Sequence, residues 1–418
     1  MRVLWITNSL LPEAAARLRG RIEIKGTGGW LLSLADALVD SGNIELVVAS
    51  ISPLVNSFVK IIGEHVLHYA IPYIGDTSYK SKYEDTFRTI FNEIRPDVVH
   101  IHGTEFPHSL AALRACGSKH TVVSLQGLVS VISQYYLAGL TNRDILCNPT
   151  LHDILRANLY QQKREMVKRG QYEKQLLKET SFVVGRTNWD YSHVWAINPN
   201  IKYYHCDEIL RREFYGGDKW CYNKCVSHSI FLSQGSYPLK GLHKVLEALP
   251  LIKKIYPDVV VRVAGPDITY NGAGLRGKLK ISTYGNIIKR LIKNNNLEKH
   301  VVFVGSLNAQ DMVKEYLQAN IFVCPSSIEN SPNSLGEAQI LGVPCVASFA
   351  GGIPDFMKGN EEFLYRFDDV QMMAERICRI FKMGESIDSS VLQDIAQKRH
   401  NTKVIVNGVM DMYNEISQ

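Results

Sequence analysis

The chain of 418 residues is 45% hydrophobic and 21% charged, the balance of a soluble globular protein with room for two domains. Its net charge of +6 suits anionic ligands or a membrane surface and is too small to argue for nucleic acid as a partner. No apolar run approaches a membrane span, and Met1 to Ile6 read as a strand instead of a signal peptide, so the expected location is the cytoplasm.

Short apolar runs at residues 3–7, 45–49, 65–70, 97–102, 121–125 and 182–185 predict strands, with helices between them such as 30–41 and 84–94. This alternation predicts a parallel sheet covered on both faces. Ligands of such sheets bind outside the carboxyl ends of the strands, so the loops after each strand carry the interest. The first strand is followed by a long loop that ends in Gly26-Thr27-Gly28-Gly29-Trp30, where glycines would let a ligand approach a helix N-terminus. The fourth strand runs into His100-Ile101-His102-Gly103-Thr104-Glu105. By alternation His100 and His102 share a face, and His102 is expected to look into the cleft, with a satisfied structural histidine as the other reading. Ser124-Leu125-Gln126-Gly127 closes the fifth strand.

Residues 151–178 form a long basic helical pattern with Lys163-Arg164, Lys168-Arg169 and Lys174, either a solvated face or a membrane-surface patch. Residues 195–226 are irregular, and the connection between two domains is placed at 206–228. His205, Cys206, Cys221, Cys225 and His228 lie near it, but no C-x2-C pair is present and the spacing matches no common zinc pattern. The eight cysteines of this long chain make no disulfide framework.

The second half begins with a strand at 229–233, then Gln234-Gly235-Ser236-Tyr237-Pro238-Leu239-Lys240-Gly241 and a helix at 242–249. Lys240, in the loop after a first strand, is placed to meet a diphosphate. Strands follow at 259–264, ending in Gly265-Pro266, and at 301–304, ending in Gly305. A buried strand at 321–325 then leads into Ser326-Ser327-Ile328-Glu329-Asn330-Ser331-Pro332-Asn333-Ser334-Leu335-Gly336-Glu337. The helix there is expected to open with Asn or Ser as its N-cap and to carry Glu337 in its first turn. A helix N-terminus suits a phosphate, Glu337 could accept from ribose hydroxyls, and Glu329 could grip a sugar hydroxyl. Glu337 also reads as an ordinary glutamate complementing the helix dipole. A strand at 343–347, Gly351-Gly352-Ile353-Pro354 and a helical segment at 391–416 complete the pattern.

Lys240-Gly241 before a helix, Gly265-Pro266, Phe303-Val304-Gly305, Glu329 to Glu337 and Gly351-Gly352-Ile353-Pro354, in this order, resemble the family-4 group of retaining glycosyltransferases. The resemblance covers essentially the whole chain. It implies the α/β GT-B fold, two Rossmann-like domains facing each other across a cleft. Residues 1–205 would bind the acceptor, 229–390 the nucleotide-sugar, and 391–418 would return to the first domain. It implies hexosyl transfer from a nucleoside diphosphate sugar with retained configuration, no metal and no cofactor. Lys240 would neutralise the leaving diphosphate, Glu329 contact the donor sugar and Glu337 hold the ribose, with His102 as a further catalytic candidate. Gly28, Gly29, Gly235, Gly265, Asn330, Asn333, Ser334 and Leu335 would line the donor, and Gln126, Glu105 and Arg186 the acceptor side.

Three positions depart from the family pattern. Gly235 stands where an arginine is usual, Gln126 where a histidine is frequent, and Pro332 where glycine is common. Arg186, Arg211 or Arg212 would have to supply the missing charge. These losses keep open a catalytically weak scaffold subunit and a sugar-nucleotide epimerase on the same fold, while Lys240, Glu329 and Glu337 favour a working transferase. The acceptor class implied is a glycan or lipid-linked glycan, as in capsule or O-antigen assembly, with peripheral contact at the inner membrane.

Overall fold

The computed structural model describes residues 1–20, 29–75, 77–270 and 280–418. Gly28 lies outside the described residues. The chain divides into two compact units, one of Met1–Val131, Glu165–Arg211 and Arg399–Gln418, the other of Ile132–Arg164 and Arg212–Lys398.

The first unit is built from β1 (Arg2–Thr7), α1 (Pro12–Arg19), α2 (Gly29–Asp40), β2 (Glu45–Ser52), β3 (Val59–Ile62), β4 (Leu67–Pro72), α3 (Ser81–Ile94), β5 (Val98–His102), α4 (Pro107–Cys116), β6 (Thr121–Ser124) and α5 (Val129–Ile132). Two short helices, α6 (Asn142–Leu146) and α7 (Leu151–Leu155), belong to the other unit before α8 (Leu159–Glu179) returns the chain to β7 (Phe182–Gly185), α9 (Asn188–Ile197) and β8 (Lys202–His205). The eight strands lie in the order β3-β4-β2-β1-β5-β6-β7-β8, parallel except for β3 against β4. Central strands such as β1 and β5 are buried on both faces, which is why they read as continuous apolar runs.

The second unit holds β9 (Val226–Leu232), α10 (Leu242–Lys253), β10 (Val260–Ala264), α11 (Thr283–Asn294), β11 (Val301–Gly305), α12 (Ala309–Gln318), β12 (Ala319–Cys324), α13 (Asn333–Leu341), β13 (Cys345–Ser348), α14 (Ile353–Phe356), β14 (Leu364–Tyr365), α15 (Val370–Met383) and α16 (Ser390–Arg399). Its six strands are all parallel, in the order β11-β10-β9-β12-β13-β14. The last helix, α17 (Thr402–Ile416), packs on the first unit. There Trp5 Nε1 donates to Tyr413 Oη at 2.9 Å, and Tyr413 Oη meets His100 Nδ1 at 2.6 Å. On its other side, His100 Nε2 shares a hydrogen bond of 2.6 Å with Ser124 Oγ.

Two edge strands and two helical segments differ from the sequence pattern. The edge strands β3 and β8 are four residues each and partly exposed, so no apolar run announces them. The single helix expected over 151–178 is two. Arg156 is extended, and Asn158 caps α8 through a reciprocal pair with Gln161, Oδ1 accepting from one backbone N–H and Gln161 Oε1 from the other, both at 2.9 Å. The helix expected over 391–416 breaks likewise at Asn401, whose side chain accepts from Val404 N at 3.1 Å.

Candidate functional site

In the second sheet the strand order reverses between β9 and β12, because β10 and β11 lie on one side of β9 and β13 and β14 beyond β12. The loops leaving β9 and β12 therefore diverge and open a crevice at the carboxyl edge. These are the loops that carry Lys240 and Glu329.

Backbone contacts hold the two loops together. Gly241 ends a 3-10 turn, Pro238–Lys240, with φ +72°, and a Cβ there would lie 1.7 Å from Pro325 O. Ser327 N donates to Leu239 O at 2.8 Å. On the other side Gly351, with φ +60°, comes so close that a Cβ would meet Glu329 O at 1.9 Å, while Gly352 N donates to that carbonyl at 2.9 Å. Ser348 Oγ donates to Ser326 O at 2.5 Å. Held between these clamps, Glu329 Oε1 receives Lys240 Nζ at 2.5 Å and Ser326 Oγ at 2.7 Å. The lysine and glutamate side chains are 21% and 17% exposed, so the pair is shielded yet reachable. Burial alone would lower the Lys240 pKa, but the adjacent Glu329 carboxylate overrides it and holds the ammonium firmly charged.

Helix α13 starts immediately after this loop. Its cap is Pro332, which contributes no side-chain bond, so the expected Asn or Ser cap is not formed, and Asn333 and Ser334 are already helical. Glu337 accordingly falls in the second turn and not the first. It is 5% exposed, and Tyr316 Oη lies 2.9 Å from Ser334 O and 3.5 Å from Glu337 Oε2. Asn330 and Leu335 are buried as well. Gly235 is enclosed, since a Cβ would sit 2.8 Å from Val263 Cγ1 and 2.9 Å from Leu242 Cδ2. A side chain starting from that position would have to displace Val263 and Leu242. Gly265 ends β10, its N–H donating to Gly305 O at 2.9 Å, with open space above it.

The first sheet reverses between β1 and β5. Here the loops join Asn8, after β1, to Glu105, after β5. His108 Nε2 donates to Asn8 Oδ1 at 2.8 Å, and Asn8 Nδ2 donates to Glu105 Oε2 at 3.1 Å. Burial, with the charge of Glu173 behind it, pushes the Glu105 carboxyl up to about 7. Gly29 opens α2. Gln126 is half-buried in the loop after β6.

His102 does not look out from the strand end. It is 1% exposed, stacked on His100 at 3.9 Å and edge-on to Trp5 at 4.4 Å, lining a small internal space with Leu34 of α2 and Val409 and Met412 of α17. Burial and the neighbouring His100 hold its pKa well below the usual imidazole value. Arg186 is likewise occupied, bonding Glu208 at 2.5 Å and the Leu125 carbonyl while 7% exposed, so it does not replace the missing arginine. The five His and Cys residues near the junction do not converge, and no cluster of three or more metal-ligating side chains occurs among the described residues. His228 pairs instead with Asp258 at 2.9 Å.

Ser326 is a further member of the site, legible only in its spacing three residues before Glu329, and no local signal reveals that Asn8 and His108 hold the expected Glu105.

Residues 227–399 match the family model described as glycosyl transferases group 1, a stretch that contains Lys240, Glu329 and Glu337. The fold is GT-B: the Anabaena HepE structure in complex with UDP-glucose matches with a TM-score of 0.65 at 14% identity, over 99% of this chain and all of that one. Among curated proteins, spore coat protein SA of Bacillus subtilis is 27% identical over 151 residues, 35% of this chain and 37% of that protein. The GDP-mannose-dependent monoacylated alpha-(1-6)-phosphatidylinositol monomannoside mannosyltransferase of Corynebacterium glutamicum is 25% identical over 150 residues, 34% of this chain and 35% of that one. The chain thus matches about a third of the length of these curated relatives.

Proposed function

We propose that the chain is a glycosyltransferase of the retaining, family-4 type. It moves a hexosyl group from a nucleoside diphosphate sugar to a glycan or lipid-linked glycan acceptor in surface polysaccharide assembly, at the cytoplasmic face of the membrane. The observation that carries the reading is the Lys240–Glu329 pair, clamped at the carboxyl edge where the second sheet reverses and followed at once by the N-terminus of α13. An arriving diphosphate competes with Glu329 for the ammonium. Once it has taken the lysine, Glu329 is free to accept from a sugar hydroxyl, and the exposed N–H groups of α13 face the remaining anionic charge. As the C1–O bond breaks, negative charge grows on the diphosphate, where Lys240 stabilises it without a metal ion. With Glu329 engaged by a sugar hydroxyl, retention is assigned to front-face attack, with the leaving phosphate oxygen taking the acceptor proton. A UDP-glucose complex among the fold's neighbours and a glycolipid mannosyltransferase among the relatives support the substrate classes.

The test is a thermal-shift comparison with UDP-, GDP-, ADP- and dTDP-sugars. A matching donor at a hundredfold over its Kd adds about 2.7 kcal/mol, which raises the midpoint of a unit this size by roughly 5–10 °C. Glu337→Ala should abolish the rise. A chain that responds to none of the four donors would sink the reading.

A further inference from the structure

Residues 132–164 pack with the second unit, and their outer surface is chemically one-sided. Helix α6 turns Ile145 inward and α7 is tied down by its acidic residue: Asp153 accepts from Thr283 N at 3.0 Å at the start of α11. Thr283 Oγ1 donates to Asn148 O at 3.0 Å, and Arg290 donates to Asn148 Oδ1 at 3.0 Å and Cys147 O at 3.2 Å. What remains outside is apolar. Leu146, Ile154 and Leu155 are 70%, 75% and 72% exposed, and Leu151 is 43% exposed. Leu151, Ile154 and Leu155, at i, i+3 and i+4, share one face of α7.

Residues 132–164 contain two acids, Asp144 and Asp153, and both are hydrogen-bonded within the unit. Asp144 accepts from Thr141 N and Oγ1 at 2.8 and 2.6 Å, and Asp153 bonds Thr283 and His152. The segment's basic residues include Arg143 and Arg156, both exposed, the first one turn before Leu146 and the second adjacent to Leu155. Residues 280–294, in the helix that seats α6 and α7, contain four basic residues and no acid: Lys280, Lys289, Arg290 and Lys293. Exposed leucine and isoleucine set among arginine and lysine, with both acids of the segment held in hydrogen bonds to the protein, match the hydrocarbon boundary of a bilayer beneath anionic headgroups. A second protein would be met better by a mixed-charge rim.

We propose that the outer faces of α6 and α7, with the basic rim from α11, form the surface by which this chain docks on a membrane carrying anionic lipid. Leu146, Leu151, Ile154 and Leu155 enter the interface, and Arg143, Arg156 and the α11 lysines pair with headgroup phosphates. The inference deepens the membrane-side reading given above and rests on it only for the identity of the acceptor. The long basic face of α8 is not required.

The experiment is co-sedimentation of the full chain with vesicles of phosphatidylcholine alone and of phosphatidylcholine mixed with phosphatidylglycerol. The wild-type chain is expected to sediment with the mixed vesicles, less so as salt rises, and to stay in solution with the neutral ones. Leu146→Ser/Ile154→Ser/Leu155→Ser should weaken partitioning by roughly 100-fold. Arg143→Gln/Arg156→Gln should weaken it by roughly 25-fold, about fivefold per charge. All replaced side chains are exposed, so both variants should keep the wild-type melting temperature and nucleotide-sugar response. Failure of the wild-type chain to bind mixed vesicles overturns the proposal, as does full binding by the triple-serine variant. A wild-type dimer that the triple variant dissociates, without vesicle binding, would assign the face to a second copy and overturn it too. Vesicle binding without any nucleotide-sugar response would leave the docking surface standing and remove the donor reading.

Discussion

Lys240 and Glu329 are each other's partner in the absence of substrate, which makes their energetics separable from catalysis. Removing one partner of a well-buried pair costs about 3–5 kcal/mol, but at roughly a fifth exposed this pair is partly hydrated, so about 1–3 kcal/mol is expected. Urea unfolding of Lys240→Met, Glu329→Gln and the double variant should therefore show a coupling of about 1–3 kcal/mol. Donor-dependent transfer by Lys240→Met should fall by roughly 10²–10³-fold. Strictly additive stabilities would mean that the contact is incidental. Both residues were legible because a strand, a loop of small residues and a helix surround them in continuous sequence. His102 was not, because period-two alternation tells which side chains share a face and nothing of what covers it; α17 lies some three hundred residues downstream. Asn8 and His108 escaped for a related reason, since they come to Glu105 only when β1 and β5 pair.

At the scale of elements, the site depends on two loops approaching backbone to backbone, and glycine permits it. Gly241→Ala places a methyl group 1.7 Å from Pro325 O at a positive φ that already costs alanine about 1 kcal/mol. The loops of β9 and β12 must part, and a total loss of about 2–4 kcal/mol is expected, together with the nucleotide-sugar response. Gly217→Ala is the comparison. It has a similar φ of +81° but nothing within 4 Å, so strain alone should remain, about 1 kcal/mol, with the response intact. Equal losses in the two variants, measured by urea unfolding, would show that contact at Gly241 is unimportant. The alternation of strands and helices was readable along both sheets, because central parallel strands are apolar on both faces. Helix ends were less so, although their chemistry is written locally: Asn158 with Gln161, and Asn401, cap new helices inside stretches whose periodicity runs on unbroken. The edge strands β3 and β8 have one wet side and few residues, which leaves little pattern to find.

The whole molecule should be acid-sensitive in a way its buried histidines determine. Burial holds His100 to about 3 and His108, His243 and His400 to about 4, and holds His102 well down as well. Their folded pKa values lie below the unfolded value near 6.5, so the unfolded chain takes protons that the folded chain refuses. Stability is complete above that value and is lost as pH falls toward about 4. Glu105 acts in the opposite sense. Its folded carboxyl titrates at about 7, above the unfolded value near 4.5, so its contribution is present at low pH and lost as pH rises through about 7. The two effects oppose each other between pH 5 and 6.5, and the histidines win by number. Four of the five, and Glu105, belong to the first unit, while His243 belongs to the second. Glu105→Gln removes the counterweight, so the fall in unfolding free energy between pH 6.5 and 5 should steepen by about 1.4 kcal/mol per pH unit. The change should appear in hydrogen exchange of the β1 and β5 peptides and leave β9 and β12 unmoved. A variant whose pH slope matches the wild type would show that Glu105 is already ionised in the folded chain, and the proton it holds next to Asn8 would have to be given up with it.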